Sequence, residues 1–162
     1  MALAETGYDG SPHAYAVRIG GRSYYAKSEA RALDHARQSD GKLDASANIG
    51  CMQLQVASHG KAFTPPEKII DPALNVRRAA GLLVAGAGRR HNWSQALASY
   101  QGGPPEARRA YVCRIWNYVR YLAPATATLI DARACGQMPH PTIDLNTARI
   151  AHETRQRLTL RK

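Results

Sequence analysis

In Gly50-Cys51-Met52-Gln53-Leu54-Gln55-Val56-Ala57-Ser58, apolar Met52, Leu54 and Val56 alternate with polar Gln53 and Gln55. A period of two fits a strand with one face buried, and so short a run fits a buried helix as well, so both stay open. Its flanks carry clearer signals. Upstream, residues 14–27 alternate around Ile19-Gly20-Gly21-Arg22, and a Gly-Gly pair between β-prone runs marks a hairpin turn. Ser28 ahead of Glu29-Ala30-Arg31-Ala32-Leu33-Asp34-His35-Ala36 predicts a capped helix that fades by Gly41. Downstream, Asp71-Pro72 supplies a cap with proline at the first helical position, and Leu74, Ala79, Leu82 and Leu83 give an apolar face reaching Gly86 or Gly88. Trp93, Ala96, Leu97 and Tyr100 share a face of the next helix, which Gly102-Gly103-Pro104 ends. Ala110, Tyr111, Ile115, Tyr118, Val119 and Leu122 outline one more, closed by Pro124. The expected fold is mainly α with one small β-hairpin.

A chain of 162 residues accommodates one domain and a tail, since single domains commonly run to about 100–200 residues. Residues 1–122 are expected to be that domain. Residues 123–162 mix Pro, Thr, Ala and charge, with a weak polar helix over 150–160, and are expected to be a basic, mobile tail. No apolar run approaches the roughly 20 residues of a membrane span. Met1-Ala2-Leu3-Ala4-Glu5-Thr6-Gly7 lacks the basic and apolar regions of a signal peptide. Cys51, Cys113 and Cys135 contain no C-x-x-C pair, and a Cys113–Cys135 bridge is one pairing they allow. The six histidines show no metal-ligand spacing, so neither a metal nor another cofactor is expected. A net charge of +10 draws the chain to polyanions in general. The basic residues come in scattered pairs without the aromatic interleaving of a single-strand binder, so nucleic acid ranks last among the partners.

Several segments, taken in order, resemble the soluble lytic transglycosylase (SLT) family, which has a lysozyme-like fold, and above all its branch associated with type IV secretion and conjugation. Glu5-Thr6-Gly7 is similar to the family's Glu-Ser-Gly, with threonine for serine. Residues 15–25 look like the hairpin of that branch. Asn48-Ile49-Gly50-Cys51-Met52-Gln53-Leu54-Gln55 is similar to Gly-Leu-Met-Gln-Ile, and His59 and Phe63 follow as the branch's His-x-x-x-Phe does. Asp71-Pro72-Ala73-Leu74-Asn75-Val76 matches Asp-Pro-x-x-Asn. Trp93-Ser94-Gln95-Ala96-Leu97-Ala98-Ser99-Tyr100-Gln101-Gly102-Gly103 resembles Ala-Leu-Ala-x-Tyr-Asn-x-Gly, and Tyr111-Val112-Cys113-Arg114-Ile115 resembles Tyr-Val-x-x-Val. Together they cover residues 5–118. Each motif is weak alone; their order and spacing make the resemblance specific.

The resemblance implies cleavage of the glycan strands of peptidoglycan, at the bond between N-acetylmuramic acid and N-acetylglucosamine, in the periplasm or cell envelope. It also suggests service to a secretion, pilus or conjugation apparatus. Such cleavage needs an acid that is still protonated near neutral pH, and a desolvated glutamate supplies one. The resemblance gives Glu5 that role and then the role of base toward the C6 hydroxyl of the muramic sugar, yielding a 1,6-anhydro ring. Tyr111 corresponds to a tyrosine whose hydroxyl holds the glutamate. Gly50 is expected to let backbone approach the sugar; Met52 and Gln53 are expected at the cleft floor, Tyr100 and Gln101 on the opposite wall, and Thr6 among the substrate-binding residues.

Blander readings stand beside these. A glutamate at position 5 is ordinarily just solvated. Met52, Leu54 and Val56 suit a core better than a ligand, and only Gln53 tips toward the cleft. Tyr100 suits a core aromatic about as well as a substrate contact, and His59 a polar residue near the core. Two alternatives to the transglycosylase follow: an inverting hydrolase with Asp44 as second carboxylate, for which pairs stand about 6.5–9.5 Å apart, and a wall-binding protein without catalysis. The family places an apolar helix ahead of its glutamate where only residues 1–4 precede Glu5 here, so either residues lie upstream or the site is loosely held.

Overall fold

The computed structural model describes residues 1–7, 10–90 and 92–144. The architecture is mainly α with a small antiparallel sheet. The Gly-Gly hairpin forms as its sequence requires. β1 (Ala16–Ile19) and β2 (Arg22–Tyr25) pair in a register that sets Ile19 opposite Arg22. The two-residue turn puts Gly20 at φ 56° and Gly21 at φ 76°, where side chains are disfavoured and the turn matches strand twist. Ser28 caps α2 (Glu29–Ala36) by accepting from the Arg31 N–H at 3.4 Å.

The ambiguous stretch is neither a single strand nor a helix. β3 (Asn48–Ile49) turns at residues 50–53 into β4 (Leu54–Gln55), and α3 (Val56–His59) follows at once. Periodicity over nine residues does not register a turn with only two residues of strand on each side. β3 also pairs with β1, Val17 opposite Ile49, which gives the sheet order β2-β1-β3-β4. Val17, Ile49 and Leu54 face the core beside Ala32, Leu33 and Ala36 of α2 and Ile69 and Ile70 of the 3₁₀ turn Pro66–Ile70.

α4 (Pro72–Arg90) starts as expected, with the Asp71 carboxylate accepting from the Ala73 and Leu74 N–H groups at 2.9 Å each, and it runs past Gly86 and Gly88. Asn92 caps α5 (Trp93–Gln101), and Gly102 at φ 65° ends it. α6 (Pro105–Leu122) packs on α5, as α4 does. Its Tyr111, Val112 and Ile115 make a second core with Leu97 and with Ala4 of α1 (Ala2–Thr6). Met1 and Tyr100 pack against both cores, at the seam where the sheet half meets the helical half. Among the described residues, no helix is long and apolar enough to cross a membrane.

The folded unit does not stop at Leu122, and that expected boundary is corrected for residues 123–144. α7 (Pro124–Ala127) caps the end of α6, and Ile130 is buried in the second core. Asn117 and Arg120 donate to the carbonyls of Pro139 and Met138 at 2.9 and 3.2 Å, and a disulfide joins Cys113 to Cys135. The few apolar residues of this segment fall where α6 covers them, which a composition average conceals. Residues 145–162, with the weak helix expected there, lie outside the described residues, as do Tyr8 and Asp9. The bridge closes 22 residues of chain. Replacing both cysteines by serine is expected to cost about 3 kcal/mol, read as a lower denaturation midpoint in guanidinium with a somewhat steeper slope, because the unfolded chain without the bridge exposes more surface.

Candidate active site

Glu5 stands in the last turn of α1, a helix too short to persist on its own. α6 holds it in place. Arg114 donates to the Ala4 carbonyl at 3.2 Å, and the Tyr111 hydroxyl donates to the Glu5 carboxylate. Ala4 and Thr6, on either side of Glu5, are buried, and the Thr6 hydroxyl donates to Ala2 O and accepts from His13 N–H, both at 3.1 Å. The site is therefore not loosely held.

Burial pushes the Glu5 carboxyl above the ordinary carboxylate range. The Tyr111 hydrogen bond and nearby positive charge, including Arg114 and Arg18, oppose that shift without cancelling it. Burial and the Glu5 charge together push the Tyr111 hydroxyl far upward, so it stays a donor at any physiological pH. Tyr111→Phe removes a bond that favours the ionised carboxylate. The Glu5 titration midpoint, followed by carboxyl ¹³C NMR, is expected to move up further in that variant.

Glu5 opens onto a groove with two arms. The nearer, of about 250 Å³, is lined by Glu5, Thr6, Arg18, Ser23, Tyr25, Asn48, Gln53, Tyr100 and Gln101, with Ala16 and Val17 behind. The farther, of about 460 Å³, continues past Gln55, Ser58, His59, Leu82, Gly86, Arg89, Ala96 and Ser99. Asn48, Gln53, Tyr100 and Gln101 line both, so the arms are one groove along the seam between the cores. Its walls are mostly amides, hydroxyls and tyrosines, the groups that exchange hydrogen bonds with polyhydroxylated ligands. Among its described lining residues, Glu5 is the one acid. Burial and the Arg78 charge push the His59 imidazole below its ordinary value.

The turn that carries Gln53 to the junction of the arms is held from behind by Asn75, which the sequence offered only as part of a helix start. Fully buried, it donates to Ile49 O and Ile69 O at 3.0 and 2.8 Å and accepts from Met52 N–H at 2.9 Å. One amide thus satisfies three backbone groups of the turn and the 3₁₀ segment. Gly50 exists for this contact: at φ 80°, a Cβ there would stand 2.5 Å from the Asn75 amide. Gln53 completes the turn at φ 50°, a sparsely populated conformation for a residue with a side chain, and its Nε2 donates to Gly50 O at 3.0 Å. Tyr100 ties α5 to the same turn by donating to Met52 O at 2.7 Å.

Set against models of protein families, curated proteins and solved structures, the chain matches none.

The site residues expected from the sequence divide accordingly. Glu5, Tyr111, Gln53, Tyr100 and Gln101 come together at the groove. Thr6 lines it too, but its hydroxyl is committed to backbone on both sides. Two expectations are corrected. Gly50 does not line the groove, because its missing side chain makes room for Asn75 rather than for a ligand. Met52 does not form the floor either; its side chain is in the first core, and only its backbone serves the site, through Tyr100 and Asn75. Asp44 lines neither arm. Its carboxylate accepts from Ser46 N–H and Oγ–H at 2.7 and 2.6 Å and from Gln38 at 3.2 Å, which hold it below the ordinary range. Arg18, Asn48 and Arg89 line the groove without having been singled out. Arg18 and Asn48 are adjacent partners in the β1–β3 register, a pairing that no local pattern reveals.

Proposed function

We propose that the chain is a peptidoglycan lytic transglycosylase of the SLT type, with a lysozyme-like arrangement in which Glu5 is acid and then base. The observation that carries this reading is the single buried carboxyl, held by the Tyr111 hydroxyl, at the wall of a long polar groove. A raised pKa keeps the carboxyl protonated nearer neutrality than an exposed glutamate. Glu5 donates its proton to the glycosidic oxygen as the bond from C1 of the muramic sugar breaks. The resulting carboxylate then takes the proton of the C6 hydroxyl as that oxygen bonds to C1. The ring closes as a 1,6-anhydro sugar, no water is consumed, and Glu5 is protonated again.

Tyr111 holds the carboxyl and steadies it between these two states. Gln53, Asn48 and Gln101 offer amide donors and acceptors to successive sugars, and Tyr25 and Tyr100 offer flat faces to their rings. The need for one carboxylate, not two, agrees with a groove in which Glu5 is the only described acid, and it disfavours the hydrolase that would have used Asp44. A disulfide suits an oxidising compartment, in keeping with a place in the periplasm or cell envelope. Opening the wall for a secretion, pilus or conjugation apparatus is the setting the sequence resemblance favours. Incubation with purified, stained peptidoglycan tests the activity: soluble dye release over time supports the proposal, and none across the pH range 4–8 leaves at most a wall-binding protein.

A further inference from the structure

α4 faces the groove with Leu82, Gly86 and Arg89. Two turns nearer its start, and about a quarter-turn around it, Leu74, Arg77, Arg78 and Gly81 line a separate hollow of about 370 Å³ with Phe63 and Lys68. Its floor is apolar and its rim is cationic. Among the described residues Lys68, Arg77 and Arg78 take part in no ion pair, and the Arg78 Nε is buried without a hydrogen-bond partner. Cationic side chains without an ion-pair partner in the chain favour carboxylates, and guanidinium groups most of all.

The hollow also continues beyond its own edge. Past Arg77, the outer face of α4 exposes Ala73, Val76, Ala80 and Val84, with Val76 44% and Val84 62% exposed. A solvent-facing helix stripe of this length ordinarily carries charge. From Val76 to Val84 the strip is about 12 Å long, so hollow and strip together suit an elongated occupant better than a compact small molecule. Acids on that occupant meet the unpaired cations, and the chain's net charge of +10 steers an acidic partner toward it.

We propose that the Phe63–Leu74 hollow, its Lys68, Arg77 and Arg78 rim and the adjoining α4 strip dock an acidic, apolar peptide segment of a partner protein. The apolar side chain enters the hollow against Phe63 and Leu74, and its neighbouring carboxylates meet Arg78 and Lys68. This docking does not depend on what the groove cleaves.

Selection from a random displayed peptide library on the immobilised full chain tests it, with two variants as counter-targets. Gly81→Leu plugs the hollow where a side chain meets nothing within 4 Å, and leucine is a better helix former than glycine, so an unchanged melting profile confirms that it folds. Arg78→Gln removes one cation of the rim. The expected peptides combine acidic and apolar residues, bind at least about tenfold more weakly to each variant, and perturb backbone NMR signals of residues 62–81. The proposal is overturned if no peptide is enriched, if enriched peptides lack acids or apolar residues, or if Gly81→Leu binds them as well as the parent. Binding to vesicles containing phosphatidylglycerol with no peptide enriched likewise overturns it, in favour of a membrane surface.

Discussion

Glu5→Gln is expected to lower glycan cleavage by about 10²–10⁴-fold, the range spanned by loss of a positioned general acid, while binding of the strand changes little. Glutamine keeps an oxygen where the Tyr111 hydroxyl donates, so the groove should keep its shape. What disappears is a proton to give and a carboxylate to take one back. The same substitution also has a signature in stability, which reports the burial of Glu5. Burial raises the Glu5 pKa in the folded chain. Below the ordinary carboxylate range the side chain is protonated whether folded or unfolded, and parent and variant should melt alike. As pH rises through that range the unfolded chain ionises first, and the parent loses stability until pH passes the folded-state value. Above it the penalty is complete, and Glu5→Gln should melt higher than the parent. Equal melting temperatures at pH 3.5 and at pH 7.5 would show that burial does not raise this pKa.

Asn75→Ala is expected to cost about 3–5 kcal/mol, because it strands Met52 N–H, Ile49 O and Ile69 O in the core and each buried, unpaired group costs about 1–3 kcal/mol. Against a typical total of about 5–15 kcal/mol, that is a large share of the stability. Substitutions at Asn75 and Gly50 should also be non-additive. Gly50→Ala suffers a clash with the Asn75 amide on top of its backbone conformation, and in the Asn75→Ala background the clash is gone. Urea unfolding of the two single variants and the double variant measures this coupling, which should be about 1–3 kcal/mol. A double variant that simply sums the two losses would mean that Gly50 and Asn75 do not support each other.

The four longest helices were legible because of apolar periodicity and local boundary chemistry: Ser28 and Asp71 at two starts, Gly102 and Pro124 at two ends. The hairpin was legible because Gly20-Gly21 admits few other turns. The Gly50 turn was not, since its conformation depends on an asparagine 25 positions along that reaches it only after α4 packs on the sheet. A signal did exist: Asn75 is polar on the buried side of an otherwise apolar helix face, four residues before the buried Ala79. Residues 123–144 were misjudged for a related reason, as Ile130 and Cys135 have meaning only against α6. In the groove, Gln53 stood out as an amide in an apolar run. Arg18, Asn48 and Arg89 are ordinary surface residues until three separate elements converge.

In the proposed mechanism Glu5 serves as both acid and base in forming an anhydro ring. Mass spectrometry of the fragments released from purified peptidoglycan by the parent chain and by Glu5→Gln tests it most directly. The parent should release 1,6-anhydro-muramic ends and the variant almost none. Reducing ends from the parent, or anhydro ends undiminished in Glu5→Gln, would contradict it.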